Sequence, residues 1–237
     1  MPRQCCATSK DDVPSDRSWS PSKQRTAGEV NQAGGGLGNV RHAAFNMNIT
    51  DWDQAYQENF TPWDKGLPSP PLVEWFAKND LSGRVLVPGC GVGHDVAHLI
   101  SLGIDATGLD ISPTAIARAK ACYPQHAEKF LEADLFTFDG QFDAIVEHTC
   151  LCALPPEWRV KYRDSVASLI KPGGLLVGVF FINPEMDPGE TGPPFGISTD
   201  ELSALFGEHF ELIENYVPKA AFPGREGREC VRVMKRQ

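Results

Sequence analysis

The stretch Val85–Leu99, VLVPGCGVGHDVAHL, decides the fold. It opens with a run of hydrophobic residues typical of a buried strand. A proline and three glycines then end this run. Apolar residues return at helical spacing from Gly93 onward. Gly89 and Gly91 have no side chain, and amides at a helix start attract negative groups. The sequence therefore predicts a loop between a strand and a helix in which a ligand contacts the backbone.

Strands and helices alternate on both sides of this loop, and Ser112 and Ser198 each have the pattern of a helix cap. This alternation predicts an α/β fold with a doubly wound, mostly parallel sheet and an antiparallel pair at its end. Such sheets bind ligands at the carboxyl ends of their strands. The sequence predicts strands at 84–87, 105–109, 129–132, 142–147, 175–181, 210–216 and 228–234, and helices at 51–59, 71–78, 93–102, 113–122, 156–170 and 199–206, with KPGG at 171–174 ending a helix.

Composition and charge exclude several classes of protein. A net charge of −9 argues against binding to nucleic acid or to an anionic membrane, and no apolar run has the length of a membrane span. The first residues, MPRQCCATSKDD, lack the apolar core of a signal peptide, and the seven cysteines show no zinc-binding spacing. We expect a cytoplasmic monomer with a disordered tail at 1–45, a folded domain at 46–237 and no metal.

Cys150 and Cys152 are packing thiols or a redox pair.

Two acidic residues follow the next two strands. Asp110 ends the second strand in TGLDIS, where a carboxylate can accept hydrogen bonds from both hydroxyls of a ribose. Asp134 follows the third strand in EADLF, where a carboxylate can accept one from an adenine amino group. The alternatives are a residue that starts a helix for Asp110 and a solvated loop residue for Asp134. Together with the glycine loop, these acids indicate a site for an adenosine compound with an amino-acid-like end.

These motifs resemble the class I S-adenosylmethionine-dependent methyltransferases. More narrowly, VLVPGCGVGHDV, TGLDIS, ADLFTF, KPGG and GPPF resemble the thiopurine S-methyltransferase family, and within it the plant-type halide and thiol methyltransferases, over residues 51–236. The resemblance implies a seven-stranded Rossmann-like methyltransferase sheet with an antiparallel last strand. It also implies S-adenosyl-L-methionine as cofactor and methyl transfer to a small soft nucleophile: a thiol or hydrosulfide, thiocyanate or a halide.

The resemblance also implies the residues that contact the cofactor. In the relatives, tryptophan side chains cover the bound cofactor. The cofactor carries a sulfonium cation, which aromatic faces attract. Packing of a helix on the core is the alternative for Trp52 and Tyr56. The expected contacts are Trp52, Tyr56, Trp63, Gly89, Gly91, Asp110, Asp134, Leu135 and His148, with a Tyr or Arg in related members where this chain has His148. No catalytic residue is assigned, although His94, Asp95 and His148 are candidates for a base.

Other functions remain open at this point. A dinucleotide-dependent dehydrogenase would have a glycine where this chain has His94. Methylation of oxygen or nitrogen on a small molecule, or a non-catalytic regulator that binds S-adenosylmethionine, is compatible with the motifs. Arg225 and Arg228 match basic residues near the acceptor in relatives, but exposed charges are the favoured interpretation.

Overall fold

The computed structural model describes residues 51–185 and 192–237, and the tail expected at 1–45 lies outside them. The helices and strands within these ranges alternate as the sequence predicts. The helices are α1 (Trp52–Gln57), α2 (Pro70–Phe76), α3 (His94–Ser101), α4 (Pro113–Cys122), α5 (Arg159–Leu169) and α6 (Thr199–Phe206). The strands are β1 (Arg84–Pro88), β2 (Asp105–Asp110), β3 (Phe130–Glu132), β4 (Phe142–His148), β5 (Ile170–Phe181), β6 (Phe210–Tyr216) and β7 (Glu229–Arg236).

The strands form one seven-stranded sheet in the order β3-β2-β1-β4-β5-β7-β6. Strands β1 to β5 pair in parallel, whereas β7 runs antiparallel to both of its neighbours, β5 and β6. The doubly wound, mostly parallel α/β sheet with an antiparallel last strand is therefore confirmed. None of the helices among the described residues is long and apolar enough to cross a membrane.

The two faces of the sheet are covered by different helices. Val85 and Val87 of β1 pack with buried residues of α2, α3 and α4. Leu86, between them, points to the other face and belongs to the core that α5 and α6 complete. Because β1 is buried on both faces, its sequence is a continuous apolar run rather than an alternating one.

The motif KPGG was expected to end a helix before a strand at 175–181. The helix does end just before the motif and 175–181 is in the strand, but the expected start of the strand is wrong. Helix α5 ends at Leu169, and β5 begins at once with Ile170. Phe142 of β4 pairs with Ile170, while Ala144 pairs with Leu175. The four residues between these pairs therefore bulge out of the ladder opposite a single residue, and glycine makes such a bulge possible.

Candidate active site

The predicted site residues lie at the carboxyl ends of neighbouring parallel strands. Strands β3, β2, β1 and β4 lie side by side in that order, so the residues that follow them share one edge of the sheet. Asp110 and His148 are the last residues of β2 and β4, and the glycine loop follows β1. The structure therefore brings residues from separate sequence motifs to one edge.

Asp110 joins the glycine loop to the residue that caps α4. Its Oδ2 accepts a hydrogen bond of 2.8 Å from the Gly91 amide, and its Oδ1 accepts one of 2.9 Å from the Ser112 amide. Burial raises the pKa of Asp110, although these amide hydrogen bonds oppose the shift. Each carboxylate oxygen has a further lone pair, so the group can still accept hydrogen bonds from the two hydroxyls of a ribose.

Gly91 lies against the ring of Tyr56. Its φ of +53° is in the left-handed region, and a Cβ at this position would lie 2.7 Å from the Tyr56 hydroxyl oxygen. Gly89 has a φ of +60°, and a Cβ there would lie 3.0 Å from Cys150 Sγ. Both positions require glycine, for the backbone conformation and for the space that the neighbouring side chains occupy.

Trp52, Tyr56 and Trp63 form a single aromatic cluster. The ring of Trp63 packs edge-on against Trp52 at 5.3 Å and against Tyr56 at 5.8 Å between centroids. Trp63 Nε1 also donates a hydrogen bond of 3.1 Å to the Tyr56 hydroxyl. Burial and the charge of Asp110 raise the pKa of Tyr56, so its hydroxyl stays protonated. Aromatic faces grouped in this way attract a cation.

Helix α1 is fixed on the start of α4 by side chains that the sequence pattern did not indicate. Asp53 Oδ1 accepts hydrogen bonds of 2.6 Å from Ser112 Oγ and 2.9 Å from the Thr114 amide. These contacts lower the pKa of Asp53 to about 2, so it is ionised at neutral pH. Arg118 donates a hydrogen bond to the backbone carbonyl of Tyr56. Together these contacts hold the aromatic cluster next to Asp110.

His94, in the place of the third glycine of a dinucleotide loop, holds the segment that follows Trp63. Its Nε2 lies 3.1 Å from Asp64 Oδ1, and its Nδ1 lies 2.7 Å from the Tyr123 hydroxyl. Burial raises the pKa of Asp64, but hydrogen bonds from His94 and the Gly66 amide bring it below its usual value. His94 is therefore engaged at both ring nitrogens and positions the loop.

Asp134 and Leu135 follow β3 in a turn. Asp134 Oδ1 accepts a hydrogen bond of 2.9 Å from the Phe136 amide, and the Asp134 carbonyl accepts hydrogen bonds from the amides of Thr137 and Phe138. Both residues are half-buried, and Leu135 packs against the core on the α5 side of the sheet. The turn fixes Asp134 beyond Asp110, at the end of the edge that lies farthest from β4.

His148 is paired with Asp95 from the first turn of α3. Its Nδ1 lies 2.8 Å from Asp95 Oδ2, while Asp95 Oδ1 accepts a hydrogen bond of 2.7 Å from the Ser69 amide. Burial alone would lower the pKa of His148, but the charge and hydrogen bond of Asp95 raise it above 6.5. Burial raises the pKa of Asp95, and the contacts with His148 and the Ser69 amide bring it below its usual value.

The turn after β4 is organised by a buried carboxyl group. Glu147 accepts hydrogen bonds of 2.9 Å from the Cys150 amide and 3.0 Å from the Leu151 amide, and another from the Tyr162 hydroxyl. Burial raises the pKa of Glu147 and of both thiols of the CxC pair, that of Cys152 to about 12. Protonated thiols are unreactive, which favours the packing interpretation of Cys150 and Cys152.

Charged and aromatic residues next to His148 complete this part of the edge. The ring of Phe222 stacks on that of His148 with centroids 6.3 Å apart, and the Arg225 guanidinium lies 5.7 Å from the Phe222 centroid. Arg225 Nη1 lies 3.1 Å from Glu229 Oε1, and their side chains are only 12% and 2% exposed. The favoured interpretation of Arg225 as an exposed charge is therefore wrong. We call His148, Asp95, Phe222, Arg225 and Glu229 the His148 cluster.

Sequence reasoning missed Glu229 and Phe222 as members of this site. Glu229 opens a buried strand, but an acid at a strand end more often faces solvent. Nothing in the local pattern around Phe222 distinguishes it from a core residue. The pairing that places both near His148 arises only when β7 inserts beside β5.

The arrangement fits S-adenosylmethionine by its chemistry. Asp110 is a buried carboxylate with lone pairs left to accept hydrogen bonds, and the aromatic cluster groups three rings beside the glycine loop. A family model described as thiopurine S-methyltransferase (TPMT) matches residues 47–236, nearly the whole described chain. The chain belongs to the thiopurine S-methyltransferase family. It is an S-adenosylmethionine-dependent methyltransferase.

Curated relatives of this thiopurine S-methyltransferase family member include two plant proteins. Probable thiol methyltransferase 2 of Arabidopsis thaliana is 34% identical over 186 residues, which cover 75% of this chain and 81% of the relative. Thiocyanate methyltransferase 1 of the same plant is 33% identical with the same coverage. Among solved structures, the 1,6-didemethyltoxoflavin-N1-methyltransferase of Burkholderia thailandensis has a TM-score of 0.63 at 21% identity, over 80% of this chain and 87% of that one. That structural similarity concerns the fold.

Proposed function

We propose that this methyltransferase transfers the methyl group of S-adenosylmethionine to a small soft nucleophile: a thiol or hydrosulfide, thiocyanate or a halide. The composition of the His148 cluster is the observation that carries the proposal. The Arg225 guanidinium lies between two aromatic rings, 5.1 Å from the centroid of Phe181 and 5.7 Å from that of Phe222. A polarisable sulfur suits the aromatic rings and the guanidinium, and because Glu229 already pairs with Arg225, the cluster favours a neutral thiol over an anion. The names of the two plant relatives support the same acceptor class.

The proposed placement of the cofactor follows the order of the strands. Its ribose hydroxyls donate hydrogen bonds to the Asp110 carboxylate. Its amino-acid end contacts the glycine loop, where backbone amides can bind a carboxylate. The aromatic cluster covers its sulfonium, and His148 lies at the methyl-bearing end. The full set of proposed contacts is Trp52, Tyr56, Trp63, Gly89, Gly91, Asp110, Asp134, Leu135 and His148.

In this proposal the chain acts by positioning and by exclusion of water. When bound, the cofactor supplies an electrophilic methyl group on a positively charged sulfur. Tyr56 and Phe222 are buried on the two sides of the site, so they keep water away from the reacting atoms. Alignment of acceptor and methyl group accounts for much of the rate in such a displacement.

A panel of acceptors tests the proposal. The purified protein receives S-adenosylmethionine with a labelled methyl group and, in parallel, hydrosulfide, thiophenol, a thiopurine, thiocyanate, iodide and catechol. We expect methylated thiol, thiocyanate or halide products. Methylation of catechol alone would show that the acceptor atom is oxygen and not a soft nucleophile. Calorimetric binding of the cofactor with no product from any acceptor would favour a non-catalytic regulator.

The remaining expectations about partners and location stay predictions. We expect a monomer that acts on a small molecule in the cytoplasm, without nucleic acid. Sedimentation of the purified chain at several concentrations measures its mass in solution. A mass that rises with concentration would contradict the expected monomer.

A further inference from the structure

Two buried polar atoms of the His148 cluster have no hydrogen-bond partner among the described residues. They are His148 Nε2 and Glu229 Oε2. The side chains that carry them are 11% and 2% exposed. Buried polar atoms are nearly always paired, because an unpaired one costs about 1–3 kcal/mol. Two such atoms in one cluster, at the edge where the fold binds ligands, indicate a site that a polar group of the substrate completes.

The contact with Asp95 determines which nitrogen of His148 carries the proton. An ionised carboxylate only accepts hydrogen bonds, so Nδ1 of His148 donates to Asp95 Oδ2. A neutral His148 therefore has its lone pair on Nε2. The same pairing of a carboxylate with Nδ1 prepares histidine for proton transfer at Nε2 in catalytic triads.

The charges around His148 favour the arrival of a proton. Asp95 on α3 and Glu229 on β7 are negative, while Arg225, in the segment before β7, is positive. With His148 neutral, these three side chains leave one negative charge, and a proton on Nε2 cancels it. Glu147, the preceding residue on β4, holds its carboxyl against the Cys150 and Leu151 amides and the Tyr162 hydroxyl.

We propose that His148 removes the proton from a thiol acceptor as the methyl group is transferred, and that Asp95 is its positioning residue. This inference rests on the proposed function. The thiol sulfur forms a bond to the methyl carbon while its proton moves to Nε2. The electron pair of the broken carbon–sulfonium bond stays on the donor sulfur, which becomes a neutral thioether. The proton then leaves His148 for solvent.

Asp95 brings the proton affinity of His148 closer to that of a thiol. It raises the pKa of His148, while the thiol of a cysteine side chain has a pKa of about 8.5. General bases work best when their pKa lies near the operating pH. Iodide and thiocyanate carry no proton, and they require no base.

Substitution of His148 should lower the rate with acceptors that carry a proton far more than the rate with acceptors that carry none. In His148→Gln only the thiolate fraction of a cysteine-derived thiol acceptor can react, which is roughly 3% at pH 7 for a pKa of about 8.5. We expect kcat/KM for this thiol to fall about 30-fold at pH 7 and to return to within about threefold of wild type at pH 9.5. Iodide carries no proton, so any fall with iodide reflects only the lost cofactor contact, and we expect it to be at least about tenfold smaller than the fall with the thiol at pH 7.

Two controls accompany this experiment. His98→Gln removes another histidine whose Nε2 is buried without a partner among the described residues, but it lies in the last turn of α3. We expect this variant to keep the wild-type rate with both acceptors. A nitro-substituted aryl thiol, ionised at neutral pH, provides a second proton-free acceptor if iodide reacts slowly.

A measurement without turnover tests the pairing with Asp95. The imidazole Cε1–H resonance of His148, assigned by its loss in His148→Gln, reports its titration by NMR. We expect a pKa above 6.5 in wild type, because Asp95 stabilises the charged ring. In Asp95→Asn that stabilisation is lost, so the pKa falls, and the acid limb of the thiol pH–rate profile moves to lower pH with it.

The outcomes distinguish this inference from the proposed function. An equal loss on thiol and iodide in His148→Gln, or a thiol loss that persists at pH 9.5, would overturn the role of His148 and leave the acceptor class intact. An unchanged thiol rate at pH 7 would overturn it as well. If wild type methylates none of these acceptors, the proposed function fails, and the role of His148 fails with it.

Discussion

The site edge has two proposed halves, a cofactor half around Asp110 and Tyr56 and an acceptor half around His148 and Glu229. They differ in how completely their polar groups are paired. In the cofactor half, both oxygens of Asp110 accept amide hydrogen bonds, and the Tyr56 hydroxyl accepts one from Trp63. In the acceptor half, His148 Nε2 and Glu229 Oε2 have no partner among the described residues. In the proposed function, this difference means that the chain fixes the groups that bind the cofactor in advance, whereas a polar group of the acceptor pairs these two atoms.

Loss of the Asp110 carboxylate should give the largest effect, and only on the cofactor half. Each hydrogen bond to a charged group contributes about 1.5–3 kcal/mol, so loss of two ribose contacts in Asp110→Ala weakens cofactor binding at least about 100-fold. Calorimetry with S-adenosylhomocysteine measures this. Asp105→Ala, at the exposed start of the same strand, is the matched control. Equal affinities of the two variants would remove Asp110 from the cofactor half.

A methyl group at Gly91 should disturb the packing between the loop and the aromatic cluster. In Gly91→Ala both the left-handed φ and the contact with the Tyr56 hydroxyl are unfavourable, and we expect the free energy of unfolding to fall by about 2–3 kcal/mol. Gly103→Ala, with a φ of +83° and no atom within 4 Å of the added carbon, isolates the backbone cost of about 1 kcal/mol.

The contact with Tyr56 can be isolated by a double-mutant cycle in urea. In a Tyr56→Phe background the hydroxyl is absent, so the cost of Gly91→Ala should shrink towards that of Gly103→Ala. A cost that does not change in this background would mean that the Tyr56 hydroxyl does not contact Gly91.

The smallest predicted effect belongs to the acceptor half. Glu229→Gln removes a negative charge near the site of an anionic acceptor, which we expect to favour iodide by about 1 kcal/mol, or roughly fivefold in kcat/KM. Cofactor affinity should change by less than about threefold. Glu211→Gln on β6 is exposed and serves as control. A change in cofactor affinity as large as the change for iodide would contradict the assignment of Glu229 to the acceptor half alone.

The sequence was sufficient for the fold and for the placement of the glycine loop and Asp110 at one edge of the sheet, because these signals are local. A strand, a glycine loop and a helix occur within Val85–Leu99, and the acid at 110 follows the next strand directly. Parallel topology then brings these motifs to one edge without further information. The cap at Ser112 was predictable for the same reason, since it involves only the amide three residues later.

The acceptor half could not be predicted in the same way, because its contacts join distant parts of the chain. Asp95 and His148 are 53 positions apart, and Glu229 joins them only through the pairing of β7 with β5. The bulge at 171–174 was missed because KPGG is also typical of a helix end. In each case tertiary pairing, rather than local propensity, decided the outcome.

A crystal structure with bound S-adenosylhomocysteine would test the division of the edge most directly. We expect the ribose hydroxyls on Asp110, the adenine beside Asp134, and the thioether sulfur between Trp63 and His148, with His148 Nε2 facing the side from which an acceptor approaches. A ribose placed away from Asp110, or a sulfur turned away from His148, would contradict the assignment of one edge to a cofactor half and an acceptor half.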